Sequence, residues 1–203
     1  MYTIQATYEG LAPMMHDRFF NPEETERGKA KRRAADTWKE ELPHKLHQDK
    51  TGVFLPADNI RMMLIGNQYR PGAAAILGSY IETKKKTEYM SLCKGCIWVL
   101  GVKDALKVYV ERNGKPIQWD PDSYDERSFP CKGGGRKLTR RPIIPLPWAM
   151  RFLIQVTDDR IDQNKVRELF DVAGYRCGAG AYGPTFGRCR IPDEGGGWIV
   201  KTS

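Results

Sequence analysis

Tyr2, Ile4, Ala6 and Tyr8 alternate with Thr3, Gln5, Thr7 and Glu9, a period of two that predicts a half-buried strand, ended by Leu11-Ala12-Pro13. The same period returns at Met150, Phe152, Ile154 and Val156. Helical spacing replaces it in two places. Ile60, Met63 and Leu64 recur at that spacing after Pro56, a residue suited to a first helical turn, and Tyr69-Arg70-Pro71-Gly72 stops the run. Val166, Leu169, Phe170 and Ala173 follow Asp162 as a candidate N-cap, with Gly174 as the predicted end. Ile97 to Leu100 reads as a buried strand, and Leu106, Val108 and Val110 as one face of another. Asn113-Gly114 is a hairpin turn before Ile117 and Trp119, and Phe186 to Ile191 is a last short strand. The order is strand, helix, strands, strand, helix, strand. It predicts an α+β fold: a split βαβ, ferredoxin-like antiparallel sheet with helices on one face.

Two stretches depart from this rhythm. From Pro22 to Leu42 the chain is polar, with Glu23, Glu24 and Glu26 ahead of Arg27, Lys29, Lys31, Arg32 and Arg33. That reads as a helix with acids early and bases late, either solvated or tracking phosphates. From Asp120 to Pro147 proline, glycine and charge dominate, which predicts a projecting arm rather than core. The 203 residues therefore suit a single domain with insertions at about 17–52 and 120–147. No run reaches the roughly 18 apolar residues of a membrane span, and Met1 to Gln5 lacks the build of a signal peptide. The expected location is the cytoplasm.

Net charge sharpens this picture. At +8 the chain favours an anionic partner, because basic surface releases counterions from phosphates on binding. Lys132, Arg136, Lys137, Arg140 and Arg141 surround a run of three glycines with no acid among them. Glycine lets backbone approach a phosphate and arginine grips its oxygens in pairs, so this arm is the leading binding element. The helix bearing Lys29, Lys31, Arg32 and Arg33 is the second. Tyr124 and Phe129 precede the arm as candidate base-stacking rings. The turn from Gly178 to Gly187 is needed either for a tight reversal or for close approach of a nucleic-acid backbone, and Tyr182 and Arg188 are its candidate contact residues. It follows a helix C-terminus and lacks a Gly-Lys-Ser or Gly-Lys-Thr ending, which argues against a nucleotide-triphosphate loop.

Candidate chemistry is sparse. Five cysteines read as thiols. Cys93 and Cys96 have zinc-knuckle spacing, but no second close pair completes four ligands. His16, just beyond the first strand, is a possible general base without an identifiable nucleophile or charge stabiliser. Asp120, Asp122, Asp125 and Glu126 read as a solvated carboxylate run. No catalytic, metal or cofactor assignment follows.

Three segments carry a likeness to a known family: the opening strand running into Leu11-Ala12-Pro13-Met14, the helix entry Leu55-Pro56-Ala57-Asp58-Asn59-Ile60-Arg61, and Gly178-Ala179-Gly180-Ala181-Tyr182-Gly183-Pro184-Thr185-Phe186-Gly187-Arg188. Together they resemble the RAMP superfamily, and within it the crRNA-backbone subunits of CRISPR effector complexes and their stand-alone relatives in phage genomes. The resemblance implies an RRM-like domain that grips the sugar and phosphate of single-stranded RNA or DNA and oligomerises along the strand. Its partners would then be nucleic acid and either further copies of itself or CRISPR-type subunits, in the host cytoplasm if phage-encoded. Two alternatives stand beside it: a phage-encoded anti-CRISPR mimic that inserts into and blocks a host complex, and a metal-independent ribonuclease centred on His16.

Overall fold

The computed structural model describes residues 1–20, 37–79, 86–130 and 136–202. In chain order the elements are β1 (Tyr2–Gly10), β2 (Met14–Met15), α1 (Thr37–Glu41) continued by a 3-10 turn, β3 (Phe54–Pro56), α2 (Ala57–Ile65), β4 (Gly66–Asn67) and β5 (Arg70–Pro71). There follow α3 (Ala73–Ser79), α4 (Lys86–Gly95), β6 (Ile97–Gly101), β7 (Lys107–Arg112), β8 (Lys115–Pro116), β9 (Tyr124–Pro130) and β10 (Arg136–Ile144). The chain closes with β11 (Ala149–Val156), α5 (Gln163–Val172) and its π turn, β12 (Cys189–Arg190) and β13 (Trp198–Thr202). It is a mixed fold of several helices and a mainly antiparallel sheet. Among the described residues, no helix is long and apolar enough to cross a membrane.

The main sheet grows from the pairing of β1 with β11, in register from Tyr2 opposite Val156 to Glu9 opposite Ala149. That pairing stacks the two alternating sequences so that their apolar sets share one face, which is what fixes register when one face is buried. Outside β1 lie β12 at its end and β13 along its start. On the other side of β11 lie β6 and, beyond a bulging excursion, β7, which also carries β3 and β8. Because β1 and β6 both run antiparallel to β11, they are parallel to each other.

The apolar face meets helices in one core. Ile60, Met63 and Leu64 of α2 and Val166, Leu169 and Phe170 of α5 are buried with the inward residues of β1, β6 and β11. Phe170 stacks on Phe152 at 5.8 Å and faces Tyr8 and Trp198. The Tyr8 hydroxyl donates to the Phe170 carbonyl at 2.6 Å, so the one polar atom of that ring is satisfied inside the core. Asp162 caps α5 by accepting from the Asn164 amide.

Several expectations need correction. Trp98 is 44% exposed, so β6 alternates instead of being buried throughout, and Leu106 is exposed in the turn before β7 while Val108 and Val110 are buried. Gly174 does not end α5: the helix continues as a π turn from Ala173 to Cys177, and Gly178 takes the positive φ that closes it. The final predicted strand shrinks to Cys189–Arg190, and β13 at the sheet edge is an unanticipated addition. The arm is a β-hairpin: β9 and β10 pair from Tyr124 opposite Pro142 to Pro130 opposite Arg136. Its root is tied to the core where Ile143 and Ile144 pair with Met15 and Met14.

Candidate nucleic-acid interface

The glycine-rich turn is held by backbone hydrogen bonds, within itself and to the segment from Pro13 to Met15. Ala179 N–H donates to the Gly187 carbonyl, Ala181 N–H to that of Met15 and Gly187 N–H to that of Pro13, each at 2.8 Å. A Cβ on Gly187, where φ is +68°, would lie 1.7 Å from the Ala179 carbonyl oxygen, and one on Gly180 would lie 2.5 Å from that of Met15. Close self-packing therefore accounts for these glycines. The outward feature of the turn is Tyr182, held at φ 57°.

Three elements converge on that ring. Arg141, from β10, lies over it at 4.6 Å, and Arg70, from β5, lies over it at 5.9 Å. Further arginine–aromatic contacts tie the arm to its surroundings. Arg127 of β9 lies 4.7 Å from the Phe186 ring, and Arg140 lies 4.1 Å from Trp38, which packs on Tyr124 at 4.9 Å. Arg188 is exposed and lies over Tyr175. Each such contact attracts a cation to a ring face and leaves guanidinium edges available to further acceptors.

No family model matches the chain, and no curated protein matches it.

Acids temper the basic arm. Arg141 pairs with Asp17 at 2.7 Å, Arg127 with Asp125 at 2.6 Å, and Arg140 with Glu126. A phosphate arriving at Arg140 or Arg141 must share the guanidinium with a carboxylate already there. Arg70 and Arg188 carry no carboxylate partner among the described residues, so they offer the less compensated charge. Of the residues singled out in the sequence, Arg141 and Tyr182 are brought together, Arg140 is the next residue of β10 but turns to the other face, over Trp38, and Arg188 lies at the far end of the turn. Arg136 and Lys137 open β10, with only their backbone described. Lys132 and the set Lys29, Lys31, Arg32 and Arg33 lie outside the described residues. Tyr124 is engaged by Trp38, and the Phe129 side chain lies outside the described set. Arg70, Asp17, Trp38 and Arg127 had not been anticipated. Arg70 stood in view only as part of a helix-stopping Tyr-Arg-Pro-Gly sequence.

The remaining titratable groups lie inward. His16 is buried behind β10, its amide donating to the Pro142 carbonyl, and its Nε2 is shielded from solvent with no hydrogen-bond partner among the described residues. Burial first, and His47 second, push its pKa down to about 3, so the ring is neutral at pH 7. Cys93 is buried in α4, and desolvation pushes its thiol up to about 12. Among the described residues, no three His, Cys, Asp or Glu side chains are grouped to hold a metal.

Proposed function

We propose that this chain is a single-stranded nucleic-acid-binding protein with a ferredoxin-like, RRM-like core, which grips the sugar–phosphate backbone and oligomerises along the strand. The observation that carries the reading is the convergence at Tyr182, where the glycine-rich turn, the root of the arm and the β4–β5 hairpin meet with two arginines on one ring. Guanidinium groups held over a ring keep edges that take phosphate oxygens, which supports a grip on the backbone whatever the base sequence. The strand order supports the core assignment, since β12 and β13 flank β1, β1 flanks β11, and β6 and β7 flank β11 on its other side. With α2 between β1 and β6 and α5 between β11 and β12 in the chain, the order supports reading the core as a split βαβ sheet.

The test is size-exclusion chromatography of the purified protein with absorbance read at two wavelengths, followed by digestion with RNase or DNase. The expected result is a nucleic-acid-rich oligomer that collapses to smaller species with one nuclease. A monomer free of nucleic acid that also fails to bind added oligonucleotides overturns the proposal. Capture of CRISPR-type subunits by such a monomer would favour the inserting mimic, and cleavage of added RNA without metal would favour the ribonuclease.

A further inference from the structure

Beside the Tyr182 cluster the surface opens into a cavity of about 250 Å³ between α2, the β4–β5 hairpin and the turn that follows α5. That is below the roughly 300–1,000 Å³ of a site for a drug-sized molecule, and suits one compact ring system. Sulfur dominates its apolar lining: Met62 and Met63 come from α2, and Cys177 from the π turn. Thioethers are polarizable and make favourable contacts with aromatic rings. Burial pushes the Cys177 thiol up to about 11, so it is protonated at neutral pH and lines the cavity as a soft apolar group rather than as a thiolate ligand for a metal.

The polar groups are few and placed on two sides. Asn59 lies one helical turn before Met63, is exposed, and its side chain makes no hydrogen bond with a described residue. Its amide offers a donor and an acceptor side by side, the pair that matches the edge of a base. Asn67 spends its Oδ1 on the amides of Tyr69 and Arg70, at 2.8 and 3.0 Å, which leaves its Nδ2 to donate. Arg70 completes the lining and also lies over the Tyr182 ring that Arg141 shares. A ligand here meets soft apolar atoms, amide edges, and cationic charge at one side.

We infer that this cavity holds one nucleobase, its ring against Met62, Met63 and Cys177, its edge toward Asn59 and Asn67, and its phosphate beside Arg70. The inference rests on the strand-binding reading for the source of that base, and a free mononucleotide presents the same chemistry. It also gives the protein a base contact that grip of the backbone alone does not require.

Cys177 is a built-in reporter. Maleimide labelling of Cys177, followed by peptide mass spectrometry with Cys96 as internal reference, is measured with three probes: a single-stranded oligonucleotide, a strand of equal length made of abasic sugar–phosphate, and a free mononucleotide. Fluorescence anisotropy records strand binding in parallel. With the ordinary strand at about ten times its dissociation constant, labelling of Cys177 slows about tenfold. The abasic strand binds yet leaves Cys177 labelled at the free rate, and the mononucleotide protects at high concentration. Asn59→Ala, read against that variant's own free labelling rate, weakens the protection about fivefold. Ordinary-strand binding without protection of Cys177 overturns the cavity assignment while leaving the proposed function standing, as does equal protection by the abasic strand. If no strand binds, the proposed function falls, and the mononucleotide arm alone decides the cavity: protection upholds it and none refutes it.

Discussion

Acidification tests the buried His16 directly. The residue is 2% exposed, its Nε2 has no partner among the described residues, and its pKa lies near 3 against an ordinary value of 6.5. A histidine whose folded pKa lies below its unfolded one binds fewer protons when folded, so stability rises with pH between the two values and falls as the solution is acidified through that window. Above pH 7 the titration contributes nothing, and only the unpaired nitrogen counts against the fold. Each unit below 6.5 removes about 1.4 kcal/mol until the folded pKa is reached, so about 2 kcal/mol is lost by pH 5 and about 3 kcal/mol by pH 4. Urea unfolding between about pH 7.5 and pH 5 should then show a midpoint drop of about 1 M attributable to this residue. The control is His16→Met, which fills the site with apolar volume and removes both the titration and the unpaired nitrogen. His47 is also depressed, by burial first and by Arg18 second, so the comparison is repeated with His47→Gln in both proteins. If wild type and His16→Met lose stability in parallel over this range, the burial argument is wrong. A resonance for the His16 ring that titrates near 6.5 in the folded protein would refute it as well.

Other perturbations have equally definite outcomes. Phe170→Ala removes a ring packed against Tyr8, Phe152 and Trp198 and should cost about 3–5 kcal/mol in denaturant unfolding; a loss below about 1 kcal/mol would contradict the packing. Gly187→Ala places a side chain at φ +68° against the Ala179 carbonyl and should cost more than the roughly 1–2 kcal/mol of left-handed backbone alone. Gly114→Ala is the control, since φ there is +74° but a Cβ meets nothing within 4 Å, and it should cost only the roughly 1–2 kcal/mol of left-handed backbone. Arg70→Ala and Arg188→Ala should each flatten the log–log salt dependence of oligonucleotide binding by about 0.7, whatever the base sequence. Arg140→Ala and Arg141→Ala should do so less, because Glu126 and Asp17 already neutralise them; the opposite ranking would show that those ion pairs open on binding.

Some of this protein was written locally. The alternation of β1 and β11, the cap and apolar stripe of α5 and the Asn113-Gly114 turn depend on neighbours within a few residues, and period and turn chemistry suffice to read them. The paired strands of the arm could not be seen that way. Glu126 faces Arg140, and Asp125 faces Arg141, so charges occupy positions where a half-buried strand would alternate apolar and polar residues. With no buried face to impose a period of two, the segment carried only the composition of a loop. β13 was hidden by the glycines before it and by the consecutive apolar residues Trp198, Ile199 and Val200. The candidate site was legible as residue types and not as a place. Basic and aromatic residues were evident in the sequence, but only folding puts Arg70, Arg141 and Tyr182 on one ring and sets Asp17 against Arg141. Those partners lie far apart along the chain, and their meeting is set by how β2, β10 and the turn after α5 are stitched together by backbone hydrogen bonds. Charge can be counted from sequence; which cations remain uncompensated depends on the neighbours that the tertiary fold assigns to them.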